Sequence, residues 1–355
     1  MTINNILVAG VGGVGSLVAT LLTELGMEVT GADCTKHQSA PNNIKFVELD
    51  VSDNKALDEL LETQDAVVSC LPYHLTIKIA KAAYRAGIHH FDPTEDVEIT
   101  NKIRKMAEDS KGAMVPQCGL APGAIGIIGS SLTHNFSKLR SIELRVGALP
   151  QHPTGLLGYA FNWSPEGVVN EYLNDCEVIR SGDVKMVPAM QNTETVIIDG
   201  NIYEAFLTSG GLGTMCETFE GKVMDLNYKS IRYPGHCNLM RFYFHELLMQ
   251  NDRKKAGEIL VQAKPPVNDD VVHIHAAVEG WKGKKLQRDE FVQSYFPMEL
   301  CGKEWKAIAW TTAVSIVSVV EMVSLGDLPQ KGFVKQEEIP FDKFLKTTFG
   351  RLYVK

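Results

Sequence analysis

The sequence predicts an α/β fold in which a doubly wound parallel sheet at the N-terminus is followed by an α+β domain built on a mostly antiparallel sheet. Three observations predict it. Short apolar runs alternate with helical patterns up to Val115, a glycine-rich turn joins the first run to the first helix, and beyond Pro122 the predicted strands alternate apolar and polar residues. Continuous apolar runs are typical of parallel strands buried on both faces, and alternation is typical of strands with one solvated face.

Composition limits the functional classes. The chain has 355 residues, which is enough for two domains with separate cores. Its 45% hydrophobic and 22% charged residues are typical of a globular protein, and a net charge of −8 predicts no nucleic-acid partner. The most apolar segment, residues 307–325, contains several Ser and Thr residues and Glu321. We therefore predict a buried helix there and no membrane partner.

Cysteine and histidine usage bears on compartment and metal binding. The seven cysteines are scattered singly without a C-x-x-C pair, which indicates reduced thiols. The N-terminus enters a strand almost at once and lacks the pattern of a secretory signal, so we expect a cytoplasmic protein. His273 and His275 would face the same side of a strand, but no further ligand is near them in sequence. We predict no metal site.

The glycine-rich turn follows the first apolar strand, residues 6–9, and opens a helix. Gly10, Gly12 and Gly15 have G-x-G-x-x-G spacing, and a second apolar strand ends at Asp33. The first glycine permits the tight turn, the second lets the backbone approach a pyrophosphate, and the third lets the helix pack close to the strand. The pattern predicts a dinucleotide-binding (Rossmann) domain. Its predicted cofactor-binding residues are Gly10, Gly12, Gly13, Val14, Gly15, Asp33, Leu71 and Pro72.

Asp33 bears on the choice of dinucleotide. A carboxylate at the end of the second strand accepts hydrogen bonds from ribose hydroxyls and repels a 2′-phosphate, so the sequence favours NAD over NADP. Lys36 lies close in sequence and would weaken that preference.

The rest of the first domain continues as alternating strands and helices. Further strands are predicted at 44–49, 66–69, 88–91 and 112–115, which gives six in total, with helices at 55–61, 76–86 and 95–109. Ligands of doubly wound sheets bind beyond the carboxyl ends of the strands. This rule singles out Pro72 and Tyr73 after strand four, Asp92 after strand five, and Cys118 to Gly123 after strand six.

The second half has a different pattern. Strands are predicted at 141–147, 177–179, 195–198, 203–207 and 271–278, and helices at 165–173, 215–222, 239–249, 304–323 and 341–348. We predict a dinucleotide-binding domain over residues 1–122 and a substrate-binding, catalytic domain over 123–303. The C-terminal helices, residues 304–355, are predicted to pack back on the first domain.

Several short blocks occur in one order along the chain, and together they are more specific than any one of them. They are Cys70-Leu71-Pro72, Cys118 to Gly123, Gly147 to Pro150, Trp163-Ser164-Pro165, Glu204-Ala205-Phe206 and Arg232 to His236. With the glycine fingerprint, they resemble the saccharopine dehydrogenase-like family over nearly the whole chain, and within it the lysine 6-dehydrogenases. Saccharopine reductases of that family often carry Asp-Pro-Gly where this chain has Ala121-Pro122-Gly123, and they are usually longer and NADP-linked. This departure, with Asp33, favours the lysine 6-dehydrogenase branch.

The resemblance implies NAD-dependent oxidative deamination of the side-chain amine of L-lysine. A hydride passes from the terminal CH₂ to NAD, and the imine is hydrolysed to an aldehyde that cyclises. Such a site must bind an α-carboxylate, receive a deprotonated amine and exclude water. Arg232 is predicted to bind the carboxylate because a guanidinium matches it bidentately, with a structural salt bridge as the alternative. Asp92 is predicted to hold the ammonium or take its proton, with a helix N-cap as the alternative.

Four further residues are candidates for the catalytic site. Tyr73 is placed to hydrogen-bond substrate or to line the nicotinamide pocket, and Trp163 to form an apolar wall. Cys118 lies at the mouth of strand six, although a lone buried cysteine commonly acts as a small hydrophobe. His236 is the candidate to titrate near neutral pH, with a structural role as the alternative. The general base is left open.

Two other functions are compatible with the same residues. The first is an imine reductase of the saccharopine or carboxynorspermidine dehydrogenase type, which would need a second carboxylate site. The second is a dinucleotide-binding family member without catalytic activity. The partner expected in the leading case is a small amino acid, and the resemblance implies a homo-oligomer, most simply a homodimer.

Overall fold

The computed structural model describes residues 2–35 and 40–354 and forms two compact units. The first unit contains the chain up to Ile127, residues 301–303, and Ala309 onward. The second contains Ile128–Leu300 and Glu304–Ile308. Lys36, which bears on the choice of cofactor, lies outside the described residues.

The first unit is built on a parallel sheet of seven strands in the order β17-β6-β5-β4-β1-β2-β3. The six predicted strands are present, and the two-residue β17, which pairs beside β6, was missed because so short a segment has no hydrophobic pattern. The strands are β1 (Asn5–Ala9), β2 (Glu28–Asp33), β3 (Lys45–Glu48), β4 (Ala66–Ser69), β5 (His89–Phe91), β6 (Ala113–Val115) and β17 (Gly332–Phe333).

Helices connect these strands, and local capping sets their ends. The helix predicted over 95–109 begins only at Val97, because the side chain of Asp96 accepts the Ile99 N–H at 2.8 Å. This cap leaves Glu95 in the loop after β5. The helices are α1 (Gly13–Glu24), α2 (Asn54–Leu61), α3 (Tyr73–Ala86), α4 (Val97–Ala107) and α5 (Ala124–Thr133), with α10 (Ala307–Ser324) and α11 (Phe341–Phe344) near the C-terminus.

Helix α10 corresponds to the most apolar segment of the sequence. It is long and apolar enough to cross a membrane by length and composition, and 78% of its apolar window is buried within the protein. Trp310, at its N-terminal end, is fully buried against the ring of Tyr353. The helix therefore has the burial expected of a core helix.

The second unit is built on an eight-stranded sheet in which β10-β11-β12-β7-β13-β14 form the main path and β8 pairs with β12 and β9. All pairs are antiparallel except β12 with β7, which is parallel. The strands are β7 (Lys138–Pro150), β8 (Cys176–Arg180), β9 (Asp183–Val187), β10 (Glu194–Ile198), β11 (Asn201–Leu207), β12 (Asp225–Arg232), β13 (Asp270–Lys282) and β14 (Lys285–Tyr295); β15 (Met298–Leu300) and β16 (Lys303–Trp305) form a separate pair. The predicted fold class is confirmed.

Three strands of this sheet were missed from the sequence. Strand β12 is central, yet its buried residues include Lys229 and Arg232, which break the expected apolar alternation. Strand β14 is rich in charged residues, but it pairs with β13 over eleven positions. Strand β9 is mostly exposed. In each case tertiary pairing overrides the local pattern.

Helices pack on this sheet to form its core. Helix α6 has the predicted bounds because Ser164 caps it, accepting the Gly167 N–H at 3.1 Å. The helix predicted over 239–249 is instead α8 followed by a π-helical turn, Phe242–Glu246. The helices are α6 (Pro165–Leu173), α7 (Met215–Phe219), α8 (His236–Arg241) and α9 (Arg253–Ala263).

A matched pair of glycine substitutions tests the packing of α1 on β1. A Cβ at Gly15 would lie 1.8 Å from the carbonyl oxygen of Gly10, whereas a Cβ at Gly13 would have no atom within 4 Å. We expect Gly15→Ala to reduce the free energy of unfolding by about 1–3 kcal/mol, as overpacking does. Gly13→Ala should leave it unchanged or raise it by roughly 0.5 kcal/mol. Urea unfolding of both variants makes the comparison, and equal losses would contradict the geometry.

Candidate active site

The turn between β1 and α1 has the geometry that a dinucleotide pyrophosphate requires. Gly10 has φ +88°, in the left-handed region that favours glycine. At Gly12 and Gly13 an added Cβ would meet nothing within 4 Å, so the space in front of the turn is open. No side chain caps the N-terminus of α1 at Gly12. Its first N–H groups and the positive end of its dipole therefore fit a phosphate.

Asp33 ends β2 beside this turn and is buried. Its Oδ2 accepts the N–H of Val11 at 3.0 Å, and its Oδ1 accepts the N–H of Cys34 at 2.8 Å. The carboxylate thus holds the glycine turn in place, a task that the sequence did not reveal.

The residues that follow β4 lie in two different environments. Leu71 lies against the glycine turn, where its Cδ2 is 3.0 Å from the position of a Cβ on Gly10. Pro72 precedes α3 as its N-cap residue, and Tyr73 is the first residue of that helix. The ring of Tyr73 packs against a buried apolar cluster that includes Ile99 and Ile103.

Asp92 is fully buried just past β5 and has specific partners. Its Oδ2 lies 2.7 Å from Nε2 of His90, and its Oδ1 accepts the N–H of Thr94 at 2.9 Å. The alternative that Asp92 caps the next helix is wrong, because Asp96 caps α4. Asp92 instead closes a local turn and fixes the ring of His90.

Cys118 joins the end of β6 to the same turn. Its N–H donates to the carbonyl oxygen of Asp92 at 2.9 Å, and its thiol Sγ lies 3.3 Å from that oxygen. Burial, with the nearby Asp92 charge, raises the pKa of the Cys118 thiol well above its usual value. Burial likewise raises the pKa of Cys70 to about 12. Both thiols are neutral near pH 7, which disfavours either as a thiolate nucleophile.

Glu95 is a candidate that the sequence did not single out, because the predicted helix included it. Its side chain is half-buried in the loop after β5. Burial, with the like charges of Asp96 and Asp92, raises the pKa of Glu95 to about 7. A carboxyl group that titrates near neutral pH is suited to general acid–base chemistry.

In the second unit, Arg232 is the last residue of β12 and is only 3% exposed. Its Nε donates to the hydroxyl of Tyr172 at 2.7 Å, and its Nη1 donates to the carbonyl oxygen of Ile231 at 2.9 Å. Nη2 lies 3.8 Å from Oε2 of Glu171, an ion-pair distance, and makes no hydrogen bond to any described residue. The guanidinium also lies over the ring of Tyr159, 4.8 Å from its centroid.

His236 begins α8 and is buried beside the same guanidinium. Its Nδ1 lies 2.9 Å from the carbonyl oxygen of Leu157, which can only accept, so Nδ1 carries the proton. Nε2 then accepts from the hydroxyl of Tyr172 at 2.9 Å. Burial and the Arg232 charge lower the pKa of His236 to about 3. The expectation that His236 titrates near neutral pH is therefore wrong.

Trp163 joins this group through a polar contact. Its Nε1–H donates to the hydroxyl of Tyr159 at 3.2 Å, so it is more than the apolar wall expected from the sequence. The structure thus brings Trp163 together with Arg232 and His236, which are distant from it in sequence, and it adds three residues that were not predicted. We call this group the Arg232 cluster: Arg232, Glu171, Tyr172, Tyr159, Trp163 and His236.

Over residues 2–35 and 40–354, no group of three or more His, Cys, Asp or Glu side chains is arranged to hold a metal ion. His273 uses both ring nitrogens within the sheet, at 2.9 Å from Oγ of Ser294 and 3.1 Å from the hydroxyl of Tyr203.

The low pKa of His236 predicts an acid-sensitive fold. An unfolded histidine titrates near pH 6.5, so between pH 6.5 and about 3 the unfolded chain binds a proton that the folded chain does not. Stability should fall as pH decreases through this window, by up to about 1.4 kcal/mol per pH unit for this group. In urea unfolding at several pH values, His236→Asn should reduce that slope. The same substitution at the exposed His152 should not. An unchanged slope in His236→Asn would contradict the assignment.

Comparisons with known proteins agree with this two-part architecture. Residues 6–115 match the family model of the saccharopine dehydrogenase NADP-binding domain, and residues 119–353 match that of the saccharopine dehydrogenase C-terminal domain. The prediction of a nicotinamide dinucleotide is supported, whereas the preference for NAD stays a prediction.

Two curated relatives match about half of the chain. Mouse mitochondrial alpha-aminoadipic semialdehyde synthase is 29% identical over 195 residues, 52% of this chain and 21% of the mouse protein. Saccharopine dehydrogenase [NADP(+), L-glutamate-forming] of Saccharomyces cerevisiae is 27% identical over 197 residues, 52% of this chain and 44% of the yeast protein. The matched region therefore spans less than half of either relative.

Solved structures extend the likeness to the whole fold. The apo saccharopine dehydrogenase (L-Glu forming) of Saccharomyces cerevisiae superposes with a TM-score of 0.75 at 18% identity, covering 97% of this chain and 96% of the yeast chain. The C. glutamicum DAP dehydrogenase in complex with DAP gives a TM-score of 0.52 at 10% identity, covering 100% and 99%. At these identities the likeness concerns the fold. The two family models, which together span most of residues 6–353, show that this chain belongs to the saccharopine dehydrogenase family.

Proposed function

We propose that the protein catalyses NAD-dependent oxidative deamination of the side-chain amine of L-lysine. The observation that carries this proposal is the state of Arg232: a buried guanidinium, fixed at Nε and Nη1, whose Nη2 makes no hydrogen bond to any described residue. Such a group suits the α-carboxylate of an amino acid, because its own position is already set before the ligand binds.

The first unit supplies the other requirement, a dinucleotide site. The turn from Gly10 to Gly15 and the N-terminus of α1 would hold the pyrophosphate, and Asp33 would face the adenosine ribose. Bound NAD⁺ would accept the hydride from the terminal CH₂ of lysine. A carboxylate at Asp33 disfavours a 2′-phosphate, which supports NAD even though the yeast relative is named for NADP(+).

Proton removal from the amine needs a separate group. The ammonium of free lysine has a pKa near 10.4, so a base must take its proton before the hydride leaves. Asp92 is occupied by His90 and by the N–H of Thr94, and Asp96 caps α4. We assign the proton-accepting role to Glu95, the remaining carboxyl group of this loop, and a positioning role to Asp92.

A second candidate function is a saccharopine dehydrogenase-type reaction, which the names of the curated relatives favour. Saccharopine carries more carboxylates than lysine and would need further cations. The buried cations Arg145 and Lys229 share Glu194 as an ion-pair partner, and Arg145 also pairs with Glu143. Because these carboxylates compensate their charge, the smaller substrate is favoured.

Reduction of NAD⁺ and NADP⁺, followed at the nicotinamide absorbance, tests the proposal with L-lysine, L-ornithine and L-saccharopine. We expect turnover with L-lysine and NAD⁺. Turnover with saccharopine but not lysine would overturn the proposal in favour of the second candidate. Absence of turnover with all three would overturn both.

A conservative change at Arg232 tests the carboxylate role. Arg232→Lys keeps the charge but removes the fork that pairs with a carboxylate. We expect kcat/KM for lysine to fall by about 10- to 100-fold, a loss of roughly 1.4–2.8 kcal/mol. The slower activity with 1,5-diaminopentane, which lacks the carboxylate, should change little. Arg351→Lys, at an exposed position, is the control. Equal losses for both substrates would assign Arg232 a structural role.

A pH profile tests Glu95. Because its carboxyl group must be ionised to accept a proton, kcat/KM of the wild type should rise with pH through about 7. In Glu95→Gln this limb should disappear, and the rate at pH 8 should fall by roughly 10²-fold or more. Glu98→Gln, at an exposed position in α4, should keep the wild-type profile. A limb that persists in Glu95→Gln would exclude Glu95 as the base.

A further inference from the structure

A cavity of about 510 Å³ lies within the first unit, at the amino ends of three neighbouring strands. Its lining includes Asp65, Ile88 and Gly112, the residues that directly precede β4, β5 and β6. The glycine turn follows the carboxyl end of β1 in the same parallel sheet. The cavity is therefore at the opposite edge of the sheet from the dinucleotide turn, and its volume is in the range of small-molecule sites.

His89 supplies a hydrogen-bond donor to this cavity. The residue is only 3% exposed, and its Nδ1 accepts the N–H of Ala113 at 3.0 Å. Burial lowers the pKa of His89, so the ring is neutral and its proton resides on Nε2. No described group accepts a hydrogen bond from Nε2, although the residue lines the cavity. The Nε2–H is therefore available to donate a hydrogen bond to an oxygen of a ligand.

The charged groups of the lining define the ligand further. Lys111 and Lys331 line the cavity, and neither forms an ion pair or hydrogen bond with a described group. Among the described residues of the lining, Asp65 is the one carboxylate, and its Oδ2 accepts the N–H groups of Asn4 and Asn5 at 2.8 and 2.9 Å. Two ammonium groups against one carboxylate leave a net positive charge. A ligand with two carboxylates and one ammonium complements this set.

We propose that this cavity binds an acidic amino acid, with its carboxylates toward Lys111, Lys331 and the Nε2–H of His89 and its ammonium toward Asp65. The aliphatic stems of the two lysines and the side chains of Ile88 and Pro329 contact its methylene groups. The affinity is modest, because both ammonium groups are on exposed side chains. The site does not depend on the proposed oxidation of lysine.

Calorimetric titration of the full chain tests the site with three probes: L-glutamate, L-lysine and inorganic phosphate. The principal variant is Lys111→Met with Lys331→Met, which keeps the aliphatic stems and changes only exposed positions. We expect the double substitution to weaken L-glutamate binding by about tenfold or more. Lys81→Met, on the exposed face of α3, should leave it unchanged.

Two further comparisons distinguish glutamate binding in this cavity from binding at the Arg232 cluster. L-lysine binding should be the same in the wild type and the double variant, and Arg232→Lys should leave glutamate binding intact. Loss of glutamate binding in Arg232→Lys but not in the double variant would overturn the proposal. Three other results would also overturn the proposal. They are binding of phosphate but not of glutamate, an equal loss of lysine and glutamate binding in the double variant, and no glutamate binding up to roughly 10 mM. Thermal unfolding of each variant confirms that it is folded.

Discussion

The buried Arg232 guanidinium determines how the side chains around it in the second unit are hydrogen-bonded. A buried cation is stable only when its donors and its charge are compensated. The carbonyl oxygen of Leu157 fixes the proton of His236 on Nδ1, so Nε2 can only accept. Tyr172 must then donate its hydroxyl proton to that nitrogen, and its oxygen accepts the Nε–H of Arg232. Each bond in this series determines the direction of the next.

The neutral state of His236 limits its role in the proposed reaction. A histidine with a pKa of about 3 is a fixed acceptor at neutral pH, so His236 positions its neighbours in the Arg232 cluster and does not carry a proton there. In the first unit, Glu95 follows β5, and burial raises its pKa to about 7. In the proposed reaction, the carboxylate-binding role belongs to Arg232 and the proton-accepting role to Glu95.

Much of this architecture could be predicted from the sequence, and the exceptions have physical causes. The first six strands and the glycine turn follow from apolar runs and G-x-G-x-x-G spacing, because parallel strands are buried on both faces. Strand β12 could not be predicted, since Lys229 and Arg232 are buried through partners distant in sequence. Strand β17 is too short to have a pattern.

The candidate site shows the same limits. Arg232, His236 and Trp163 were identified separately, but their grouping depends on Tyr159 and Tyr172, which only the tertiary structure brings near. The protonation of His236 and of Glu95 could not be predicted, because burial sets both pKa values. Whether Asp92 caps a helix depended on which of two nearby aspartates the backbone uses.

In the proposed reaction the hydride comes from the terminal CH₂ of lysine. The most direct test of this transfer uses L-lysine carrying deuterium on that carbon, with NAD⁺ and the purified chain, and mass spectrometry of the reduced cofactor. We expect deuterium in the reduced cofactor from this substrate, and none from lysine labelled at the α-carbon. Deuterium transferred from the α-carbon, or from neither position, would contradict it.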